Sequence, residues 1–259
     1  MNIPNSPTSG LLPSKKTTSI NDLAPELLTE IGLILPSYHA RQLCLCSRKF
    51  SIAVGWALYR RDVLKGPHMR HDKGAQALFW GAIQGVLETV KKSVAHGADP
   101  NEPMLWANYG IPDFRTPLQI ATQNGHATVV SYLLQVCDAS REEFLLNNDN
   151  ILFYAQRPDI MRLLLEGGFE ELVNTRAMQW RIGRTRRRSF PLLHHLNLPV
   201  PNVEAIRLLL EHGASPFTWD PSGYYPCAWH MAKVTHQRQD LMDLLIEFGF
   251  DETSPEHMG

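Results

Sequence analysis

The stretch Arg115-Thr116-Pro117-Leu118-Gln119-Ile120-Ala121, followed by Asn124-Gly125-His126 and then Val129-Val130-Ser131-Tyr132-Leu133-Leu134, decides the fold of this chain. Each piece has a mechanical reading. Thr116 suits a helix N-cap, and Pro117 presets the first turn. Leu118 and Ala121, three residues apart, face one side, and Gly125 supplies the left-handed residue that ends the helix. A second helix follows at once, because Val129, Val130, Leu133 and Leu134 recur at helical spacing. The stripe they make is wider than a two-helix unit can cover by itself, so the unit needs neighbours.

Those neighbours are legible in both directions. Apolar residues running into a glycine turn recur as Val94-Ala95-His96-Gly97-Ala98-Asp99-Pro100-Asn101, Leu163-Leu164-Leu165-Glu166-Gly167-Gly168, Leu208-Leu209-Leu210-Glu211-His212-Gly213-Ala214 and Leu244-Leu245-Ile246-Glu247-Phe248-Gly249. Matching first helices begin near Gln76-Ala77-Leu78-Phe79, Asn150-Ile151-Leu152-Phe153, Phe190-Pro191-Leu192-Leu193 and Tyr225-Pro226-Cys227-Ala228-Trp229. The interval averages close to 33 residues, roughly the period of the ankyrin repeat, and the unit at Thr116 resembles its T-P-L-H-x-A signature with Gln119 in place of His. This resemblance covers Lys73 to about Asp251. It implies an all-α solenoid of about five helix-turn-helix units, near 76–108, 115–147, 150–175, 189–222 and 225–251.

The preceding segment has a different texture. Residues 19–64 read as three short helices, Pro25 to Leu35, Ser37 to Cys46 and Lys49 to Tyr59, divided by Pro36 and by a break at Ser47-Arg48. Leu27, Leu28, Ile31, Ile34, Leu35, Leu43, Leu45, Phe50, Val54, Trp56 and Leu58 are more apolar surface than about 45 residues can hide. Leu23-Ala24-Pro25-Glu26-Leu27-Leu28, Ile31, Leu35, Leu43, Cys46-Ser47-Arg48 and Phe50 resemble the F-box, and Leu58-Tyr59-Arg60-Arg61-Asp62 resembles its close in proteins that continue into ankyrin repeats. One departure is Ala24, where the first proline of the F-box pattern stands. The resemblance implies docking on the small adaptor of a Skp-cullin-F-box ubiquitin ligase through Leu23, Pro25, Glu26, Leu27, Ile31, Leu43 and Phe50. Through that adaptor the chain would meet a cullin, with an unidentified protein substrate on the ankyrin array. A capping role for these helices, within an ankyrin scaffold outside the ubiquitin system, is the alternative.

Three long loops fit the substrate surface, since aromatic and arginine side chains dominate binding hot spots. They carry Trp106 and Tyr109; Trp180, Arg184 and Arg187; and Trp219 and Tyr224. The run Arg176, Arg181, Arg184, Arg186, Arg187, Arg188 suits a solvated loop or, through bidentate geometry, an acidic or phosphorylated segment.

With 259 residues, 44% hydrophobic and a formal charge of −1, the chain reads as a globular protein whose overall charge advertises neither nucleic acid nor membrane. Four cysteines without paired spacing argue against a disulfide framework or zinc site and for a reducing compartment, cytoplasm or nucleus. Cys227-x-x-His230 lacks two further ligands, and no phosphate loop, nucleophile elbow or paired acids stand out. The expectation is a non-catalytic receptor with no cofactor and no metal. Met1 to Thr18 reads as a disordered leader without a signal peptide, and 252–259 as a polar tail.

Overall fold

A computed structural model describes residues 19–65, 77–108, 111–136, 150–179, 187–218 and 227–251. The chain divides into two compact units, Met1–Arg61 and Asp62–Gly259.

The first unit is built on three helices, α1 (Pro25–Ile34), α2 (Ser37–Cys46) and α3 (Arg48–Lys65). Pro25 opens α1 after an extended Ala24, and Ser47 is the one extended residue between α2 and α3 (φ −158°, ψ 157°). The expected break at Ser47-Arg48 is therefore one residue wide. Arg48 begins α3, which also runs six residues beyond Tyr59 because 60–65 contain neither proline nor glycine. Leu28, Ala40, Phe50, Ala53 and Val54 form a small core. Gly32 lets α1 approach α3, since a Cβ there would stand 3.0 Å from that of Ala57.

The second unit is a stack of helix pairs. Inner helices are α4 (Ala77–Gln84), α6 (Pro117–Gln123), α9 (Pro191–Leu196) and α11 (Ala228–His230); outer helices are α5 (Leu87–Ala95), α7 (Ala127–Val136), α8 (Pro158–Leu164), α10 (Val203–Glu211) and α12 (Gln239–Glu247). In the third pair the inner helix is reduced to a 3-10 turn, Ile151–Phe153. One apolar core runs unbroken from Leu78 to Phe250. The helical array carries two antiparallel ribbons not foreseen in the sequence: β1 (Met104–Asn108) pairs β2 (Ile111–Arg115), and β3 (Ala177–Gln179) pairs β4 (Arg187–Ser189).

Local chemistry explains the pairs. Thr116 accepts a hydrogen bond from the Gln119 amide and Gln119 Oε1 accepts one from the Thr116 amide at 2.8 Å, a complete capping box in which glutamine serves at the departure from the signature. The third pair has no Thr-Pro. Asn150, fully buried, replaces it: its Oδ1 caps the Leu152 amide at 3.0 Å, while its Nδ2 donates to the carbonyls of Leu172 (2.8 Å) and Thr175 (3.2 Å).

Polar side chains pin successive pairs together. Nε2 of His126, His195 and His236 donates to the carbonyls of Ile83 (2.8 Å), Leu152 (2.8 Å) and Leu196 (2.6 Å), each in the preceding pair; a carbonyl can only accept, so the proton is on Nε2. Arg157 and Arg238 each hold an aspartate two residues on, Asp159 and Asp240, and donate to the carbonyls of Gly125 (3.2 Å) and Pro201 (3.0 Å). The His126 ring lies flat against Gly85, whose positive φ (71°) and missing Cβ make room for it.

Candidate functional site

On the first unit, the residues expected to dock an adaptor fall into two sets. Phe50 is buried in the core, and Leu23, Ile31 and Leu43 are half-buried against it. Pro25, Glu26 and Leu27 are exposed. Further apolar side chains of the unit are exposed: Ile34 at 83%, Leu45 at 81%, Ile52 at 71%, together with Tyr38 and Trp56. Ile52, Trp56 and Arg60 follow one another at four-residue spacing on α3, with the Arg60 guanidinium 5.3 Å from the Trp56 ring. Sequence reading counted much of this apolar surface but could not sort inward from outward, because both sides of such short helices are apolar.

On the second unit, Trp106 lies in β1 opposite Asp113, and Arg187 in β4 opposite Gln179. Tyr109, Trp180, Arg184, Trp219 and Tyr224 lie outside the described residues, as do 1–18 and 252–259. Other ring systems are placed firmly. Trp80 on α4 is 46% exposed. Buried Arg115, at the base of the first ribbon, stacks its guanidinium over Tyr154 of the next pair at 4.5 Å. Trp229 stacks on Phe250 (4.8 Å, 12° between planes) with Lys233 above it at 5.6 Å, and Phe217 lies against the other ring at 5.6 Å. No periodic signal marks these contacts: Arg115–Tyr154 and Phe217–Phe250 join successive pairs, and Trp229–Phe250 closes the last one. Leu87, Lys91, Ala127, Thr128, Ser131, Tyr132 and Gln135 line an open groove of about 460 Å³ between α5 and α7.

The chemistry of this surface is that of contact. Among the described residues, no three His, Cys, Asp or Glu side chains gather where a metal ion could be held, and no helix is long and apolar enough to cross a membrane. Cys227 is half-buried, His230 exposed. Cys46 donates its thiol to the Gln42 carbonyl at 3.2 Å, and burial raises the pKa of the Cys44 thiol, which opposes thiolate formation. His195 is fully buried, and that burial pushes its pKa down to about 4 against a smaller upward pull from the Leu152 carbonyl. Its neighbour His194 stacks on Phe153 at 4.8 Å.

Comparison with known proteins adds a family to this geometry. Residues 78–175 match the family model described as ankyrin repeats (3 copies). An ankyrin repeat protein from Leishmania major is similar in structure at 19% sequence identity, with 67% of this chain and 57% of that one covered and a TM-score of 0.46; the chain spans a little over half of that protein's length. No curated protein matches the chain. The segment from 78 to 175 is thus similar to ankyrin repeats, which typically serve as non-catalytic protein-interaction modules.

Proposed function

We propose that this chain is a substrate-recognition subunit of a Skp-cullin-F-box ubiquitin ligase, with residues 19–64 docking the small adaptor and the ankyrin array holding the protein to be ubiquitinated. The observation that carries the proposal is the first unit itself. It is a compact three-helix unit in which Leu28, Ala40, Phe50, Ala53 and Val54 make the core while Leu27, Ile34, Tyr38, Leu45 and Ile52 are exposed. Apolar surface at that density is the mark of an interaction face. The resemblance of Leu23 to Phe50 to the F-box says what kind of partner covers it. Within that reading, contact falls to Pro25, Glu26 and Leu27, and Phe50 acts by holding the helices that present them. Substrate contact falls to the two ribbons, which carry Trp106 and Arg187.

Co-purification of the full chain with the adaptor tests this. Wild type is expected to form a stable complex, and Leu27→Asp/Ile34→Asp to weaken it by about a hundredfold or more, as loss of two central apolar anchors does. Both side chains are exposed, so helicity by circular dichroism should be unchanged. Failure of the wild type to bind would remove the ligase reading and leave an ankyrin scaffold acting outside the ubiquitin system.

A further inference from the structure

Cations are divided unevenly along this chain. Between Lys92 and Lys233, residues 93–232 include eleven arginines and no lysine, whereas the rest of the sequence holds eight lysines and six arginines. The contrast lies within one chain, so a general preference of the sequence for arginine does not explain it. The stretch without lysine takes in the second, third and fourth helix pairs and both ribbons.

Geometry accounts for some of these arginines. Arg157 holds Asp159 with Nε and Nη2, at 3.1 and 2.7 Å, while its Nη1 reaches the Gly125 carbonyl at 3.2 Å. Arg207 grips both carboxylate oxygens of Glu247, at 2.7 and 3.0 Å, and Arg115 lies over the Tyr154 ring. A single ammonium cannot reproduce such forked contacts. Arg162 is different. It meets Glu204 through Nη2 alone at 3.5 Å, with the two side chains 54% and 53% exposed, a contact that lysine serves equally well. Exposed helical positions that ask only for a polar side chain are filled by Thr128, Gln135, Glu204 and Glu211. The architecture itself accepts lysine, since Lys91 and Lys233 lie over the rings of Tyr132 and Trp229 in the first and last pairs.

What separates the two cations beyond geometry is reactivity. A lysine amine becomes a nucleophile when it loses its proton, whereas a guanidinium keeps its proton. We infer that the array surface from 93 to 232 is kept inert to ubiquitin transfer, so that the acceptor amine is found on the protein held there and not on the array that holds it. The inference rests on the ligase reading above and adds the direction of transfer to it. In that step a neutral lysine amine attacks the thioester carbonyl carbon that links ubiquitin to the conjugating enzyme. The C–N bond forms, the C–S bond breaks, the enzyme's cysteine leaves with the electron pair, and the proton shed by the nitrogen ends on that sulfur or in water. The eleven guanidinium groups supply positive charge for contact and no acceptor for this reaction.

The test compares the full wild-type chain with a Thr128→Lys/Gln156→Lys/Arg162→Lys variant. All three side chains are exposed, so the thermal transition should stay in place. Each protein is assembled with the adaptor, the cullin, its RING partner and a ubiquitin-charged conjugating enzyme, with no cargo added. Self-modification is followed over time, and its positions are mapped by mass spectrometry of the glycine-glycine remnant. The variant should gain ubiquitin at 128, 156 and 162, and its self-modification should be roughly threefold faster, because amines now stand where none stood. Added lysines that stay unmodified, or a rate equal to that of the wild type, would overturn the inference, since the arginines would then protect nothing. Co-purification with the adaptor, measured first, separates the two levels. Failure of the wild type to bind removes the ligase reading and this inference with it, whereas a complex whose added lysines receive no ubiquitin removes the inference alone.

Discussion

Replacing Asn150 by alanine should lower the unfolding free energy of the array by about 3 kcal/mol, because three hydrogen bonds vanish and the carbonyls of Leu172, buried, and Thr175, part-buried, lose a donor. The side chain is fully buried, so no water stands ready to take over. Its amide joins the start of the third pair to the Leu172 and Thr175 carbonyls, more than twenty residues on, and its Oδ1 caps the 3-10 turn at Ile151–Phe153. Asn150→Asp should be worse near neutral pH, since it turns a carboxylate oxygen toward those carbonyls, and should improve as acid protonates it. Thr116→Ala is the comparison: it loses one half-exposed cap and should cost about 1 kcal/mol. Urea titration of the three variants decides the matter. A loss below that of Thr116→Ala would mean that the third pair does not rest on Asn150.

Acid should find a second weak point at His195. The folded chain holds this imidazole neutral, with a pKa of about 4, whereas 6.5 is the ordinary value. As pH falls the unfolded chain takes up the proton first, so the stability tied to His195 is complete above pH 6.5, declines between 6.5 and 4, and is gone below. Over that window the loss attributable to this residue is about 3 kcal/mol. Two features make protonation costly. Nδ1, the atom that would receive the proton, is buried with no hydrogen-bond partner, and the ring in edge contact with it is another histidine, His194, at 5.3 Å. His195→Gln removes the titration and can keep a donor for the Leu152 carbonyl. The difference in unfolding free energy between pH 7 and pH 4 should therefore shrink by about 3 kcal/mol in the variant. Parallel pH profiles for the two proteins would refute this. Carboxylates contribute to both profiles equally and cancel in the comparison.

The two positions also show where sequence reading succeeds and where it stops. Thr116, Pro117 and Gly125 carry their roles in their own chemistry, so cap, first turn and left-handed terminus were legible before any coordinates. Asn150 was quoted as the start of a first helix, but a buried asparagine that serves a carbonyl more than twenty residues away leaves no local trace, and the helix shrank to three residues. His195 carries no such mark in the sequence, since its burial and its bond to Leu152 depend on another pair. The contacts of Lys91 with Tyr132, Arg162 with Glu204 and Arg207 with Glu247 were equally hidden, because each joins one pair to the next. In the first unit α1 and α2 were legible to within a residue because Pro25, Pro36 and Ser47 punctuate them. The end of α3 was not, for lack of any such mark after Tyr59. Fingers read as loops because their strands are five and three residues long.

The contact between Gly85 and His126 bears on how this sequence can drift. Any side chain at 85 would collide with the imidazole and would also have to adopt a positive φ, while a shorter residue at 126 would leave the Ile83 carbonyl without its donor. Neither substitution is neutral, and shortening 126 to relieve the clash would still leave a positive φ at 85 and the Ile83 carbonyl unserved. Among descendants of this gene glycine at 85 and histidine at 126 are thus expected to be kept together, a record of contact that survives even where the surrounding repeat has lost its signature.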